Sequence, residues 1–173
     1  MSDIDEPIRV VEHDPRWAEW YAADAQELVR SFGARLREVQ HFGSTSIPGI
    51  VAKPIIDILV APAQWPLTAN DRQTCESLGY EHLGEAGVPG REHFRRRTAH
   101  DTNLAVVEWR ATLWSDNLLL RDFLRTHPEA AAEYARFKAE AWQNGTRTLI
   151  AYSEHKVHKI AALLQAAKAW RSA

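Results

Sequence analysis

The chain has 173 residues, enough for a single domain, 1–173, with a core of its own. Its formal net charge of −2 supplies no electrostatic case for nucleic acid as the main partner. A lone cysteine, Cys75, excludes an internal disulfide and fits a reducing compartment. No apolar run approaches the ~18–20 residues that span a bilayer, and the acidic start lacks a signal peptide's basic and apolar regions, so the expected location is cytoplasmic.

Residues 1–13 read as an extended entry. Asp14 and Pro15 suit the cap and the first position of a helix. Along it Trp17, Trp20, Tyr21, Leu28 and Phe32 recur at helical spacing until Gly33 stops it, and both tryptophans are expected in the core. Residues 39–42 should form a strand that ends at Gly43-Ser44-Thr45-Ser46, and 47–52 has room only for a turn or a short helix. The run from Ile55 to Val60 is apolar, β-branched and short, the pattern of a buried strand; Pro62 and Pro66 close it. Residues 68–78 read as a helix opened by a rough capping box, Thr68 with Asp71, and closed by Gly79, with Cys75 in the core.

Residues 80–84 suggest a third strand and the glycine-rich 84–90 a flexible loop. Residues 91–98 and 103–109 should pair antiparallel through a turn at 99–102. The remainder reads as helical: 111–126, broken at His127-Pro128; 128–144, stopped by Gly145; and 153–170, with Val157, Ile160, Ala161, Leu164 and Ala167 on one face. A mixed sheet backed by helices, with a helical C-terminal half, is an α+β (α/β) arrangement.

Chemistry concentrates at two places. Gly43 lets an anion approach the backbone closely, N–H groups of a following helix start attract negative charge, and Ser44, Thr45 and Ser46 add hydroxyl donors. Thirteen residues after Ser44, Asp57 sits inside the oily strand, where an unpaired carboxylate is expensive. Lys53 lies at the mouth of that strand and can neutralise Asp57 or reach a phosphate. Arg91, Arg95 and Arg97 share one face of their strand, with Arg96, Glu92 and Phe94 on the other. A solvated face is the plain reading of these arginines; a guanidinium clamp for phosphate or carboxylate is the functional one.

Tyr134/Lys138 and Tyr152/Lys156 are i,i+4 pairs, each on one helix face. With Arg121 they either decorate the surface or, turned toward Asp57, build a basic pocket. Lys156 stands early in its helix, where the dipole disfavours a cation and a negative ligand would offset that. His155 and His158 are i,i+3, but no third zinc ligand has a recognisable spacing. Glu108 is out of phase with 103 and 105 and should face away.

The run His41-Phe42-Gly43-Ser44-Thr45-Ser46-Ile47-Pro48-Gly49, followed by Lys53-Pro54-Ile55-Ile56-Asp57-Ile58, resembles the GrpB family. This is a branch of the nucleotidyltransferase-like superfamily that also occurs as an accessory domain fused to some dephospho-CoA kinases. Gly90-Arg91-Glu92, Phe94-Arg95, the stretch from Arg121 to Pro128, and the two Tyr/Lys pairs extend the likeness over nearly the whole chain. The resemblance implies a nucleotidyltransferase-like mixed sheet that binds a nucleotide or other phosphorylated or anionic small molecule between the 43–46 turn and Asp57. Its expected ligands are His41, Gly43, Ser44, Thr45, Ser46, Lys53, Arg91, Arg95, Arg121, Tyr134, Lys138, Tyr152 and Lys156. Asp57 and Ser44 are the catalytic candidates, although sequence assigns no base to Ser44. Asp57 is the expected ligand of a weak, substrate-assisted Mg²⁺.

Two departures weigh against metal-dependent transfer. Leu59 occupies the second carboxylate's position, and Asn103 and Ala105 stand where family members commonly carry His-x-His. The alternative is a non-catalytic binding or folding-accessory domain that keeps the fold.

Overall fold

The computed structural model describes residues 6–172, apart from the side chains of residues 153 and 155. Five strands form one mixed sheet: β1 (Leu36–Phe42), β2 (Ile55–Pro62), β3 (Glu81–His82), β4 (Arg91–Arg97) and β5 (Asp101–Val107). Their spatial order is β1-β2-β5-β4-β3; β2 and β5 run parallel and the other neighbours antiparallel. The helices are α1 (Arg16–Phe32), α2 (Ala69–Ser77), α3 (Thr112–Thr126), α4 (Pro128–Gln143) and α5 (Leu149–Ser172). The expected α+β plan with a helical C-terminal half is the plan observed. Among the described residues no helix is long and apolar enough to cross a membrane.

Strand alternation divides the sheet into two chemically different faces. Ile56, Ile58 and Val60 of β2, Leu104 and Val106 of β5 and Phe94 of β4 pack with Trp17, Leu28 and Phe32 of α1 and Cys75 of α2. On the opposite face Leu59, Ala61, Ala105 and Val107 meet Trp114 of α3. The C-terminal helices make a further core from Leu119, Phe123, Leu124, Tyr134, Leu163 and Ala167, into which Ile47 and Ile50 reach.

Local signals located the helix starts well. Asp14 Oδ1 accepts the Arg16 N–H at 2.9 Å. Thr68 Oγ1 accepts the Asp71 N–H at 3.1 Å while Asp71 Oδ2 accepts the Thr68 N–H at 3.3 Å, a complete capping box.

Boundaries set by tertiary pairing differ from expectation. β1 starts three residues early because its register with β2 runs from Phe42↔Asp57 back to Leu36↔Pro62. β5 begins at Asp101, paired with Ile55 across the parallel interface, and β3 shrinks to two residues. α5 begins at Leu149, whose N–H is held by Glu6 O at 2.9 Å. That same N-terminal segment bridges Pro7 to Thr148 and Val11 to Ala52, so the described part of the entry is an extended strap.

Of the apolar face expected on α5, Ala167 is buried but Val157 and Ala161 are exposed; Leu163 takes the inner position. Trp20 is half-buried and stacks on His100 at 5.1 Å, whereas Trp17 is fully in the core.

Candidate functional site

β1 ends at Gly43 with φ +68° and ψ −171°. A β-carbon there would lie 2.7 Å from Asp57 Oδ2 and 3.1 Å from Asp57 Cβ, so glycine is what lets the turn and the acid meet. Ser44–Ser46 is a three-residue 3₁₀ turn, closed by Ser46 N–H to Gly43 O and Ile47 N–H to Ser44 O, both at 3.2 Å. The 47–52 stretch, expected to hold only a turn or a short helix, carries a turn at 48–49 and leads into the Val11–Ala52 bridge; the helix that follows Gly43 is the single 3₁₀ turn.

Asp57 points to the sheet face away from α1. Asn103, its register partner on β5, donates from Nδ2 to Asp57 Oδ1 at 3.0 Å. Asn103 Oδ1 accepts Arg97 Nη2 at 3.1 Å, and Arg97 Nη2 also donates to Glu6 at 2.5 Å. The buried-strand acid is thus half-buried, held on one side by an amide and open on the other to a cleft of about 780 Å³. The volume is that of a small-molecule site.

Gly43, Ser44, Lys53, Asp57, Arg91, Arg95, Arg121, Tyr134 and Lys156 all line this cleft. Nine expected positions, separated by more than a hundred residues, therefore converge. Lys53 and Lys156 carry its charge most openly. Their ammonium nitrogens sit 5.7 and 4.8 Å from the Tyr152 ring centroid, and neither makes a hydrogen bond or an ion pair within 4.0 Å among the described residues. Burial, then the neighbouring Lys156 charge, pushes Lys53 down to about 8, with Asp57 pulling the other way. Burial lowers Lys156 too, again opposed by Asp57.

Arg91 is pinned by backbone rather than by acid: Nε and Nη2 donate to Glu85 O at 3.2 and 3.1 Å, and Nη2 to Ala86 O at 2.9 Å. Burial lowers its pKa and Asp57 opposes that. Arg121 Nη1 donates to Gln40 Oε1 at 2.8 Å and His41 O at 3.0 Å, bracing α3 against β1. Arg95 is already paired, with Glu81 at 2.8 Å and Glu6 at 3.6 Å. Tyr134 is pushed up to about 12 by burial; its hydrogen bond with Ser44 acts against the rise and Asp57 adds to it. That bond occupies Ser44, and no base contacts the serine among the described residues.

Five expected ligands lie elsewhere. His41 is on the α1 face, stacked on Tyr21 at 4.7 Å and bonded through Nε2 to Thr45 Oγ1 at 3.0 Å. Burial, then Arg125 and Arg121, lowers it to about 4, so it is a neutral core histidine. One residue of alternation separates it from the cleft-lining Phe42. Thr45 is spent on His41, and Ser46 Oγ donates to Gly43 O at 2.6 Å, so both hydroxyls stabilise the turn rather than face the cleft. Lys138 is fully buried behind the cleft, donating from Nζ to Val51 O at 2.5 Å; burial, then Lys156 and Lys53, takes it to about 7. Tyr152 is the buried platform beneath the two lysines, and its hydroxyl has no hydrogen-bond partner among the described residues.

The cleft also contains His93, Arg97, Asn103 and Glu154, which were not expected as site residues. Period-two alternation from Arg91 to Arg95 places His93 on the same face, and that signal is legible in the sequence. Burial, then the three arginines at 91, 97 and 95, holds His93 down at about 3, and its buried Nδ1 has no hydrogen-bond partner among the described residues. Nothing local marks Glu154, which the packing of α5 brings to the cleft. The zinc reading of His155 and His158 falls partly outside the described side chains; among described residues no three His, Cys, Asp or Glu side chains converge. Glu108 is exposed beyond the end of β5, and Cys75 is buried and pushed up to about 12 by burial.

A family model described as GrpB protein matches residues 7–166. UPF0157 protein YqkA of Bacillus subtilis (strain 168) is 30% identical over 168 residues, covering 95% of this chain and 48% of the relative. A dephospho-CoA kinase of Mycolicibacterium paratuberculosis is 30% identical over 172 residues, covering 84% of this chain and 42% of the kinase. The chain thus spans less than half the length of these two curated relatives. The crystal structure of conserved protein GrpB from Enterococcus faecalis matches with a TM-score of 0.84 at 30% identity, over 94% of this chain and 99% of that one.

Proposed function

The chain belongs to the GrpB family, and from that premise we propose that it binds a small phosphorylated or otherwise anionic molecule in the cleft beside Asp57. The observation that carries this reading is the pair of half-buried ammonium groups, Lys53 and Lys156, gathered over one tyrosine ring and opposed by Asp57, with no direct hydrogen bond or close ion pair among the described residues. Two like charges held together and partly desolvated raise the free energy of the empty cleft. An anion between them offsets that cost. Arg91, whose Nε and Nη2 are held by Glu85 O and Ala86 O, adds positive charge and its remaining Nη1 donors to the same cleft. A nucleotide is the specific ligand that the 43–46 turn and the superfamily likeness suggest.

The donor set fits a protein-held divalent metal poorly. Asp57 is the sole strand carboxylate on the cleft floor; one of its oxygens takes the Asn103 amide, the other packs against Gly43, and Leu59 and Ala105 flank it. Lys53, Lys156 and Arg91 repel a cation there. This favours binding without metal-centred chemistry, the accessory-domain reading. Asp57 then positions the lysines electrostatically.

Isothermal titration of the full chain with pyrophosphate and with ATP, each with and without Mg²⁺, tests the proposal. Saturable one-to-one binding is expected, weakened at least tenfold by Lys53→Met or Lys156→Met and not requiring Mg²⁺. Absence of saturable binding by wild type, or wild-type affinity in both variants, overturns it. Metal-dependent turnover of a nucleotide that Asp57→Asn abolishes would replace the accessory reading with a catalytic one.

A further inference from the structure

We infer that the ligand of this cleft is an amphipathic anion, a compact phosphate or carboxylate head joined to an apolar chain, rather than a nucleoside triphosphate. This rests on the anion-binding reading above and narrows it. The cleft is chemically split. Charge sits at Lys53, Asp57 and Arg91 on the sheet side and at Lys156 and Glu154 of α5, while Leu120 and Leu124 of α3, Ile150, Val157 and Ile160 of α5 and the neighbouring Ile47 form an aliphatic strip on the helical wall. Across the mouth, Leu83 and Val88 of the loop that pins Arg91 supply a second apolar surface.

The lip of that wall is exposed. Ile150 and Val157 are 44% and 58% accessible, two of the four large apolar residues exposed in the described chain, and both sit in the first turns of α5. A lone exposed valine needs no explanation. Two on the rim of one cleft, continuous with buried Leu124 and half-buried Leu120 and Ile160, form an exposed apolar lip.

The charge available also bounds the head. Arg95 and Arg97 are already met by Glu6 and Glu81, and Arg121 by Asp122. What remains is Lys53, Lys156 and Arg91 set against Asp57 and Glu154. That surplus suits a phosphate monoester dianion or a carboxylate, and leaves a triphosphate largely uncompensated.

The test is a titration of the full chain with inorganic phosphate, ethyl, butyl, hexyl and octyl phosphate below their micellar range, octyl glucoside as the uncharged control, and ATP. Affinity is expected to rise about fourfold per methylene over the first several carbons, the transfer value for a buried CH₂. Octyl phosphate should bind at least tenfold more tightly than ATP, and octyl glucoside should not bind. Val157→Ser should cut the octyl-to-inorganic phosphate affinity ratio at least threefold, whereas Lys156→Met should weaken every phosphate in the series. Phosphate binding that ignores chain length, or ATP binding more tightly than octyl phosphate, overturns this inference and leaves the anion-binding reading standing. No binding by any anion overturns both. A concentration-dependent dimer in light scattering that Val157→Ser disperses, with no gain from the alkyl chain, assigns the lip to a second copy and likewise overturns the inference.

Discussion

Replacing Gly43 by alanine should destabilise the protein by about 3 kcal/mol, and the structure divides that figure. The backbone at φ +68° and ψ −171° lies where a side chain costs roughly 1–3 kcal/mol. The new β-carbon would also meet Asp57 Oδ2 at 2.7 Å and Asp57 Cβ at 3.1 Å. Asp57 cannot retreat, because β2 is clamped between β1 and β5. Its carboxylate must swing away, breaking the 3.0 Å bond from Asn103, a charge-assisted contact worth about 1.5–3 kcal/mol. For a chain this long, 3 kcal/mol corresponds to a fall in Tm of about 6–12 °C.

Urea unfolding of wild type, Gly43→Ala, Asp57→Ala and the double variant measures this. Gly49→Ala is the control, since Gly49 has φ +77° but nothing within 4 Å of an added β-carbon. Gly43→Ala should cost clearly more than Gly49→Ala, and the double variant should be less destabilised than the two single changes added together. Equal costs at positions 43 and 49, or strict additivity with Asp57→Ala, would refute the close-approach argument.

Two further outcomes follow from buried charge. Lys138 has its folded pKa lowered by burial to about 7, below the unfolded value, so between pH 7 and about 10.5 the unfolded chain binds the extra proton and stability rises with pH. Relative to Lys138→Met, wild-type stability should therefore climb from pH 7 to 9 by up to about 1.4 kcal/mol per pH unit in chemical denaturation; parallel curves would contradict it. Asp24 on α1 accepts Arg96 Nη2 at 2.5 Å, Thr102 Oγ1 at 2.7 Å and His100 Nε2 at 3.0 Å, tying the helix to β4 and β5. Asp24→Ala strands the buried Thr102 hydroxyl and half of the Arg96 fork, so a loss of about 3 kcal/mol is expected from urea unfolding, and a loss under 1 kcal/mol would show the network to be dispensable.

Local chemistry by itself determined much of this protein. Apolar period and cap residues located α1, α2 and the central strand, because helix ends and buried strands are specified by neighbours within a few residues. The glycine at 43 and the acid at 57 were legible as a pair because each is anomalous in its setting: a glycine ending a strand, a carboxylate among isoleucines. The likeness to the GrpB family could be read from the same residues.

Tertiary structure alone decided which of the marked residues share a space. His41 carries the right chemistry but sits one residue out of phase with the cleft, and strand alternation sends it into the core. Lys138 and Lys156 looked equivalent as partners of a tyrosine four residues away. Helix packing buries one against Val51 and opens the other to the cleft. The start of α5 was misplaced because an N-terminal carbonyl, Glu6 O, holds its first N–H, and no window around residue 149 contains that information. Side-chain type is a local property; which way a side chain faces, and what neutralises it, depends on segments far apart in sequence that only folding brings together.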